Sequence, residues 1–251
     1  MTEQALEPLG SGGVGRAEAE PRDPQAFVEA NLEWLLLHAL ASLLSETFGY
    51  AMPDADAADA FASSRMSARH EDGEAAERLA LVAEAFVLAG EGDEPAYFAT
   101  NELDAARAFR VLCVANGADN AVALSVLPSV EAPNEGFDAC RVDRDLATEQ
   151  WDVTLSADFA FPGDPPGDVT VSYGDAEGED APAREVVETS GLLQTLAEEV
   201  ATTYALFDPL VLEARSCDAD SGITVGEGKL SLCYSLVREL QALAERPAAA
   251  Q

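Results

Sequence analysis

Residues 27–48 read FVEANLEWLLLHALASLLSETF, a run without Gly or Pro whose apolar side chains lie on nearly every side of a helix. A helix that is apolar all round is typical of a protein interior rather than of a surface. Gly49 follows the run and supplies a helix stop. We therefore predict a buried central helix that begins near Pro24 and ends at Phe48.

The chain is unusually acidic. It has 251 residues, with 47 acidic and 14 basic side chains, and its formal net charge is −33. Because 48% of the residues are hydrophobic, it can still bury a core, and its length suits one large domain or two small ones. A surface this negative repels phosphate backbones and anionic lipid headgroups. We therefore expect an unknown protein or peptide as partner, and neither nucleic acid nor a membrane. The acidity also fits adaptation to high salt.

The first two thirds of the chain predict a helical body. Residues 1–24 are rich in Gly, Pro and Glu without an apolar period, which predicts a disordered acidic tail. The longest strongly apolar run, Leu35 to Leu37, is far shorter than the roughly 20 residues that cross a bilayer. Apolar periodicity places further helices at 56–69, 72–89, 101–117 and 138–151. Together with the first helix they form a body over 25–161.

A change of composition marks the C-terminal part. Residues 162–167, PGDPPG, form a turn-rich linker. Beyond it, we predict strands at 169–173 and 210–214, a hairpin of 223–225 and 230–232 around GEGK, and helices at 182–205 and 233–245. These elements form a small α+β part over 168–246 that packs on the same fold, followed by a tail at 247–251. The predicted fold class is α+β and mostly α.

Four cysteines form two local pairs without the CxxC spacing of a zinc knuckle or a redox site. Pairing Cys113 with Cys140 and Cys217 with Cys233 would close short loops in separate parts of the chain. The alternative is four buried free thiols in a reducing cytosol. The first residues show neither a basic region nor an apolar region of a signal peptide. We therefore expect a cytoplasmic protein, which favours the thiols.

The middle of the central helix reads HALAS from His38 to Ser42, and positions 38 and 42 share one helix face. In zinc hydrolases such a face carries HExxH, in which two histidines bind the metal and the glutamate activates water. Here Ala39 stands at the glutamate position and Ser42 at the position of the second histidine. Taken alone, His38 is interpreted as a core histidine of an apolar helix.

Five further segments follow in the order of one bacterial family. They are DADAADAFA at 54–62, ARAFRVLCVANG at 106–117, the stretch from Cys140 to Trp151, the ETSGLL helix at 188–206, and the block from Cys217 to Ser235. With the HALAS helix, they make residues 26–243 resemble an HExxH-type family of bacterial zinc metallopeptidases known as a domain of unknown function. The chain is similar to a divergent member with a degenerate motif. The resemblance implies a zincin-like helical body.

The departures from that family concern the polar residues that a zinc enzyme needs. A zinc hydrolase uses three protein ligands, an open water position and a general base. Only His38 is kept among the expected ligands, with Asp54, Asp56 and Asp59 as weak carboxylate candidates. Without a base at Ala39, even a bound metal should hydrolyse poorly, because general-base assistance contributes about 10²–10⁴-fold. We therefore expect no catalytic residue, no cofactor, and a pseudo-peptidase kept for binding or regulation.

Two alternatives stay open. One is a zinc-dependent peptidase with a metal site rebuilt around His38 and the aspartates, with His70 as a further donor. His70 lies in HEDG, however, which predicts a polar junction between helices. The other alternative is an acidic protein-interaction module. Arg107 and Arg110 are spaced i and i+3, and we expect them to pair with acids on a neighbouring helix rather than to form an anion site.

Overall fold

The structure is a computed structural model that describes residues 22–90, 104–118, 145, 148–217 and 222–246. The helices are α1 (Pro24–Phe48), α2 (Ala55–Arg69), α3 (Asp72–Gly90), α4 (Asp104–Ala118), α5 (148–155), α6 (Asp180–Ser190), α7 (Leu192–Thr203) and α8 (Tyr234–Ala244). The strands are β1 (Val169–Tyr173), β2 (Leu210–Arg215), β3 (Ile223–Gly226) and β4 (Lys229–Cys233). The predicted class, α+β and mostly α, is confirmed.

Helix α1 is the centre of the fold, as its sequence predicts. The Asp23 carboxylate accepts hydrogen bonds from the backbone N–H groups of Gln25 and Ala26, and Gly49 ends the helix with a φ of 73°. The three-leucine run alone was too short for a membrane span, but the helix has 25 residues and contains an 18-residue window with a mean hydropathy of 1.3, so by length and composition it could cross a membrane. However, 83% of that stretch is buried among the other elements. In this fold α1 is therefore a core helix.

The elements around α1 share one core. Helices α2, α3 and α8 and strands β3 and β4 all contact α1, while α4 packs on α2 and α3. The buried side chains form a single cluster that draws on both the helical body and the C-terminal part. Trp34 lies inside it, with its ring 5.5 Å from that of Phe86 in an edge-to-face arrangement.

The C-terminal part is built on a four-stranded mixed sheet in the order β1-β2-β4-β3. Strands β1, β2 and β4 are parallel, and β3 pairs with β4 in the antiparallel direction. The predicted hairpin is confirmed, with Glu227 and Gly228 at positive φ values of 55° and 71° in its two-residue turn. Positive φ at both central positions matches the turn to the twist of the strands.

The structure corrects two predicted helices. The helix predicted at 182–205 is divided into α6 and α7, because Gly191 takes a left-handed φ of 65°. The helix predicted to end at Trp151 continues to 155, and a 3₁₀ turn, Ser156–Asp158, follows it. Ordered structure also begins earlier than predicted, since Arg22 donates to the Glu84 carboxylate and to the carbonyl of Ala244. The predictions for 1–21, 101–103, 138–144, 146–147 and 247–251 lie outside the described residues.

A disulfide joins Cys217 to Cys233, with 5.5 Å between their Cα atoms. It ties the chain just beyond β2 to the last residue of β4. Of the two possibilities left open for these cysteines, the local pairing is confirmed, and the free thiols that the expected cytoplasmic location favoured are wrong for them. Cys113 is also disulfide-bonded, and Cys140, its predicted partner, lies outside the described residues.

Candidate functional site

The candidate site lies where the middle of α1 faces α2. His38 on α1 approaches Asp59 on α2, with 3.2 Å between the His38 Nε2 and the Asp59 Oδ1 atoms. The two groups lie within ion-pair distance, but their geometry is not that of a well-directed hydrogen bond. The His38 side chain is 25% exposed, whereas that of Asp59 is only 3% exposed. The site therefore sits at the edge of the core, with the histidine on its open side.

Arg107 on α4 completes this group. Its Nε donates to the Asp59 Oδ2 over 2.9 Å, and its Nη2 donates to the Asp59 Oδ1 over 2.7 Å. This two-pronged geometry is the strongest form of a guanidinium–carboxylate pair. The guanidinium also lies 4.6 Å from the ring centre of Phe86 and 5.9 Å from that of Trp34. We call His38, Asp59 and Arg107 the Asp59 cluster.

The charges of the Asp59 cluster are balanced within the interior. Burial raises the pKa of Asp59, but the contacts with His38 and Arg107 together outweigh burial and leave that pKa below its ordinary value of 3.8. Asp59 is therefore a carboxylate at neutral pH. A buried carboxylate of this kind requires a cationic partner such as the Arg107 guanidinium, because an isolated charge in the core is strongly unfavourable.

The other candidate metal donors have different partners. Asp54 is the N-cap of α2, and its side chain accepts a hydrogen bond from the backbone N–H of Ala57. Asp56 is exposed and pairs with Arg110 over 2.7 Å. The pairing of both arginines of α4 with acids of α2 is the arrangement predicted from their spacing. Of the four candidate donors, the structure brings together only His38 and Asp59.

These residues do not fit a catalytic zinc site. Within the described ranges, no three histidine, cysteine, aspartate or glutamate side chains form a group that could hold a metal ion. Ala39 is buried at the position of the general base, and both oxygens of Asp59 accept hydrogen bonds from Arg107. A metal would have to displace the guanidinium and would then find two protein ligands where three are needed.

A second charged group, which sequence reasoning missed, lies further toward the start of α1. Glu33 is buried. Its carboxylate lies 3.0 Å from the Nε2 of His70 and accepts a hydrogen bond from the Nη1 of Arg78 over 3.1 Å. Arg69 approaches the same carboxylate at 3.4 Å, and the Nδ1 of His70 faces Glu74 at 3.2 Å. We call these five residues the Glu33 cluster. The signal for it was a glutamate within an otherwise apolar helix, because buried glutamates are almost always paired.

The Glu33 cluster shows where His70, considered above as a further metal donor, lies. Both of its ring nitrogens face carboxylates of this cluster. His70 is thus a polar residue held between two carboxylates at a helix junction, as the HEDG sequence predicts, and it does not join His38 as a second metal donor.

No protein-family model, curated protein or solved structure matches this chain. Function must therefore be inferred from its own side chains. The Asp59 cluster offers a fixed, internally neutralised set of charges beside a partly exposed histidine. It offers neither a free general base nor an open coordination position.

Proposed function

We propose that this chain is a non-catalytic relative of the HExxH zinc metallopeptidases, kept for binding or regulation, in which the guanidinium of Arg107 takes the place of the metal cation. The observation that carries this proposal is the two-pronged contact of Arg107 with Asp59 beside His38. A cation already lies at the oxygen atoms that a metal would need. The degenerate HALAS sequence of the same helix supports the proposal independently.

A guanidinium in place of a metal ion keeps a positive charge beside Asp59 but cannot activate a water molecule for hydrolysis. A guanidinium has five donors in a fixed plane and remains protonated in proteins. It offers no vacant coordination position, so it cannot generate a hydroxide from bound water as a catalytic zinc does. Ala39 has no group that accepts a proton. The cluster therefore supports packing and charge balance rather than peptide hydrolysis.

The alternative, a zinc peptidase rebuilt around His38, has a larger energetic obstacle. Zinc binding would have to release Arg107 from Asp59 and leave a buried guanidinium without its carboxylate. Breaking a buried ion pair in this way costs about 3–5 kcal/mol. The ligand set would still be one histidine and one carboxylate. We therefore place this alternative second.

Restoring the lost side chains tests the proposal. A variant that combines Ala39→Glu, Ser42→His and Arg107→Met regains a base, a second histidine and an uncovered carboxylate. We expect it to bind Co²⁺ with the visible absorption of a tetrahedral site, whereas the wild-type chain does not. The matched control carries the same three changes together with His38→Ala and should not bind. Circular dichroism verifies that each variant is folded.

A peptidase assay supplies the result that would contradict the proposal. We expect no cleavage of unfolded casein by the wild-type chain in the presence of zinc. Cleavage that a chelator stops and that His38→Ala abolishes would establish the rebuilt zinc peptidase instead. If the restored variant folds but binds no metal, the HALAS helix no longer supports an origin from the metallopeptidases.

The cysteines bear on the compartment in which the protein works. We propose an oxidising compartment, in place of the cytoplasm expected from the first residues. The Cys217–Cys233 disulfide and the bonded state of Cys113 support this proposal, since disulfides are rare in reducing cytosol. Mass spectrometry of protein alkylated in its native source, without prior reduction, tests it. Alkylated Cys217 and Cys233 would contradict it.

A further inference from the structure

Three connecting segments meet near the C-terminal end of α1. They are residues 48–52 after α1, 158–161 after α5, and 204–207 after α7. Phe159 forms an isolated antiparallel bridge with Tyr204, and their rings stack with 5.7 Å between centres. Backbone hydrogen bonds on both sides of this bridge fix the second and third segments together.

The first segment is held to the other two by aromatic contacts. The ring of Phe48 lies 6.1 Å from that of Tyr204 and 6.5 Å from that of Tyr50. The hydroxyl of Tyr50 donates to the Asp158 carboxylate over 2.5 Å. The result is a cluster of four aromatic side chains, each contributed by one of the three segments. These contacts give the surrounding surface a defined shape.

Three exposed apolar residues follow members of this aromatic cluster closely along the chain. Within the described ranges, Met52, Phe161 and Phe207 are three of the four large apolar side chains that are exposed, at 60%, 76% and 88%. Each of them follows a cluster aromatic by two or three residues. The backbone of Phe161 is fixed further, because its N–H donates to the Asp164 carboxylate and its carbonyl accepts from the Asp164 N–H. Single exposed apolar residues are ordinary, but three that each lie within three residues of one ordered cluster indicate an interaction surface.

The charge of this surface selects the class of partner. The sequence has no Lys or Arg in 46–54, 156–168 or 203–208, whereas these stretches contain six carboxylates, those of Glu46, Asp54, Asp158, Asp164, Asp168 and Asp208. Arg65 and Arg69 of α2 act on Tyr204, but they are themselves paired with Asp152 and Glu199. A second copy of the chain would bring the same six carboxylates against those of the first and would add its own net charge of −33. A cationic partner is favoured instead, because its positive charges are attracted to these carboxylates.

We propose that this surface, which we call the Phe161–Phe207 patch, docks a basic amphipathic segment of a partner protein. The apolar side chains of that segment pack on Met52, Phe161 and Phe207, and its Lys or Arg side chains pair with the surrounding carboxylates. Apolar contacts supply most of the affinity, and the carboxylates exclude acidic partners. This inference concerns a different surface from the Asp59 cluster and does not depend on the fate of the metal site.

Fluorescence anisotropy with model peptides tests the proposal on the full chain. The probe is a fluorescein-labelled amphipathic peptide of leucine and lysine, and the comparison peptides replace lysine by glutamate or leucine by glycine. We expect only the leucine–lysine peptide to bind, with an affinity that falls as salt is added. The double variant Phe161→Ser, Phe207→Ser should weaken this binding by about tenfold or more. Val153→Ser is the control. It removes an apolar side chain that is 66% exposed and lies outside the patch, and it should leave the affinity unchanged.

Three results would overturn the proposal. Equal binding of the glycine–lysine peptide would show that net charge alone attracts it. Equal weakening by Val153→Ser and by the double phenylalanine variant would remove the assignment to this patch. Self-association of the wild-type chain in sedimentation, lost in the double variant, would assign the patch to a second copy. Because both phenylalanines are exposed, we expect the double variant to fold normally.

Discussion

Replacing Arg107 by methionine leaves the buried carboxylate of Asp59 with His38 at 3.2 Å and Arg110 at 4.0 Å, and neither replaces the two hydrogen bonds of Arg107. Methionine is apolar and flexible enough to fill much of the same space, so the main loss is electrostatic. Asp59 and Arg107 are 3% and 5% exposed, and both carboxylate oxygens lose a hydrogen bond. We expect a loss of about 3–5 kcal/mol in the free energy of unfolding, as for other buried pairs that lose one partner.

Arg110→Met is the matched control for this variant. Arg110 lies one helical turn further along α4. It pairs with the exposed Asp56 over 2.7 Å and reaches Asp59 only at 4.0 Å, without a hydrogen bond, so its loss should cost about 0–1 kcal/mol. Urea unfolding followed by circular dichroism and by the fluorescence of the nearby Trp34 measures both variants. The double variant Asp59→Asn, Arg107→Met should lose clearly less than the sum of its single changes, because neither charge is left alone. Equal and small losses for Arg107→Met and Arg110→Met would refute the reasoning.

Three further predictions concern the pH dependence, the second cluster and the disulfide. Because the folded pKa of Asp59 lies below 3.8, its ion pairs stabilise the fold above about pH 4 and are lost as the pH falls through the folded value, so acid unfolding of Asp59→Asn should be less steep than that of the wild type. Glu33→Gln leaves the arginines of its cluster without the buried carboxylate and should lower the urea midpoint markedly, whereas Glu74→Gln at the exposed rim should hardly change it. Paired Cys217→Ala and Cys233→Ala should cost about 3 kcal/mol for a loop with a sequence separation of 16, and an unchanged thermal midpoint would contradict this.

Local sequence signals predicted most of the secondary structure. The all-round apolar composition of α1 predicted both its helix and its burial, and the GEGK turn predicted the β3–β4 hairpin. The division between α6 and α7 was missed because the apolar periodicity continues across Gly191. A glycine there serves equally well as a weak helical position or as a left-handed cap. The choice depends on how the two segments pack on the sheet, which local sequence does not specify.

The sequence identified members of the site but not their partners. His38 and Asp59 were both candidates, yet what defines the site is Arg107, which lies 48 residues beyond Asp59. Its spacing predicted an acid on a neighbouring helix without specifying which one. The Glu33 cluster was missed for the same reason, since it assembles side chains from α1, α2 and α3. Pairings of this kind are set by the tertiary packing of helices rather than by the pattern of any one of them.

The most direct test of the central claim is the zinc content of the wild-type chain. Protein purified without a metal-binding tag is dialysed against zinc and then against metal-free buffer, and its zinc is counted by plasma mass spectrometry. With Arg107 as the cation at Asp59, we predict no zinc above the level of the buffer. One zinc per chain, lost on His38→Ala in a variant that is still folded, would contradict this account.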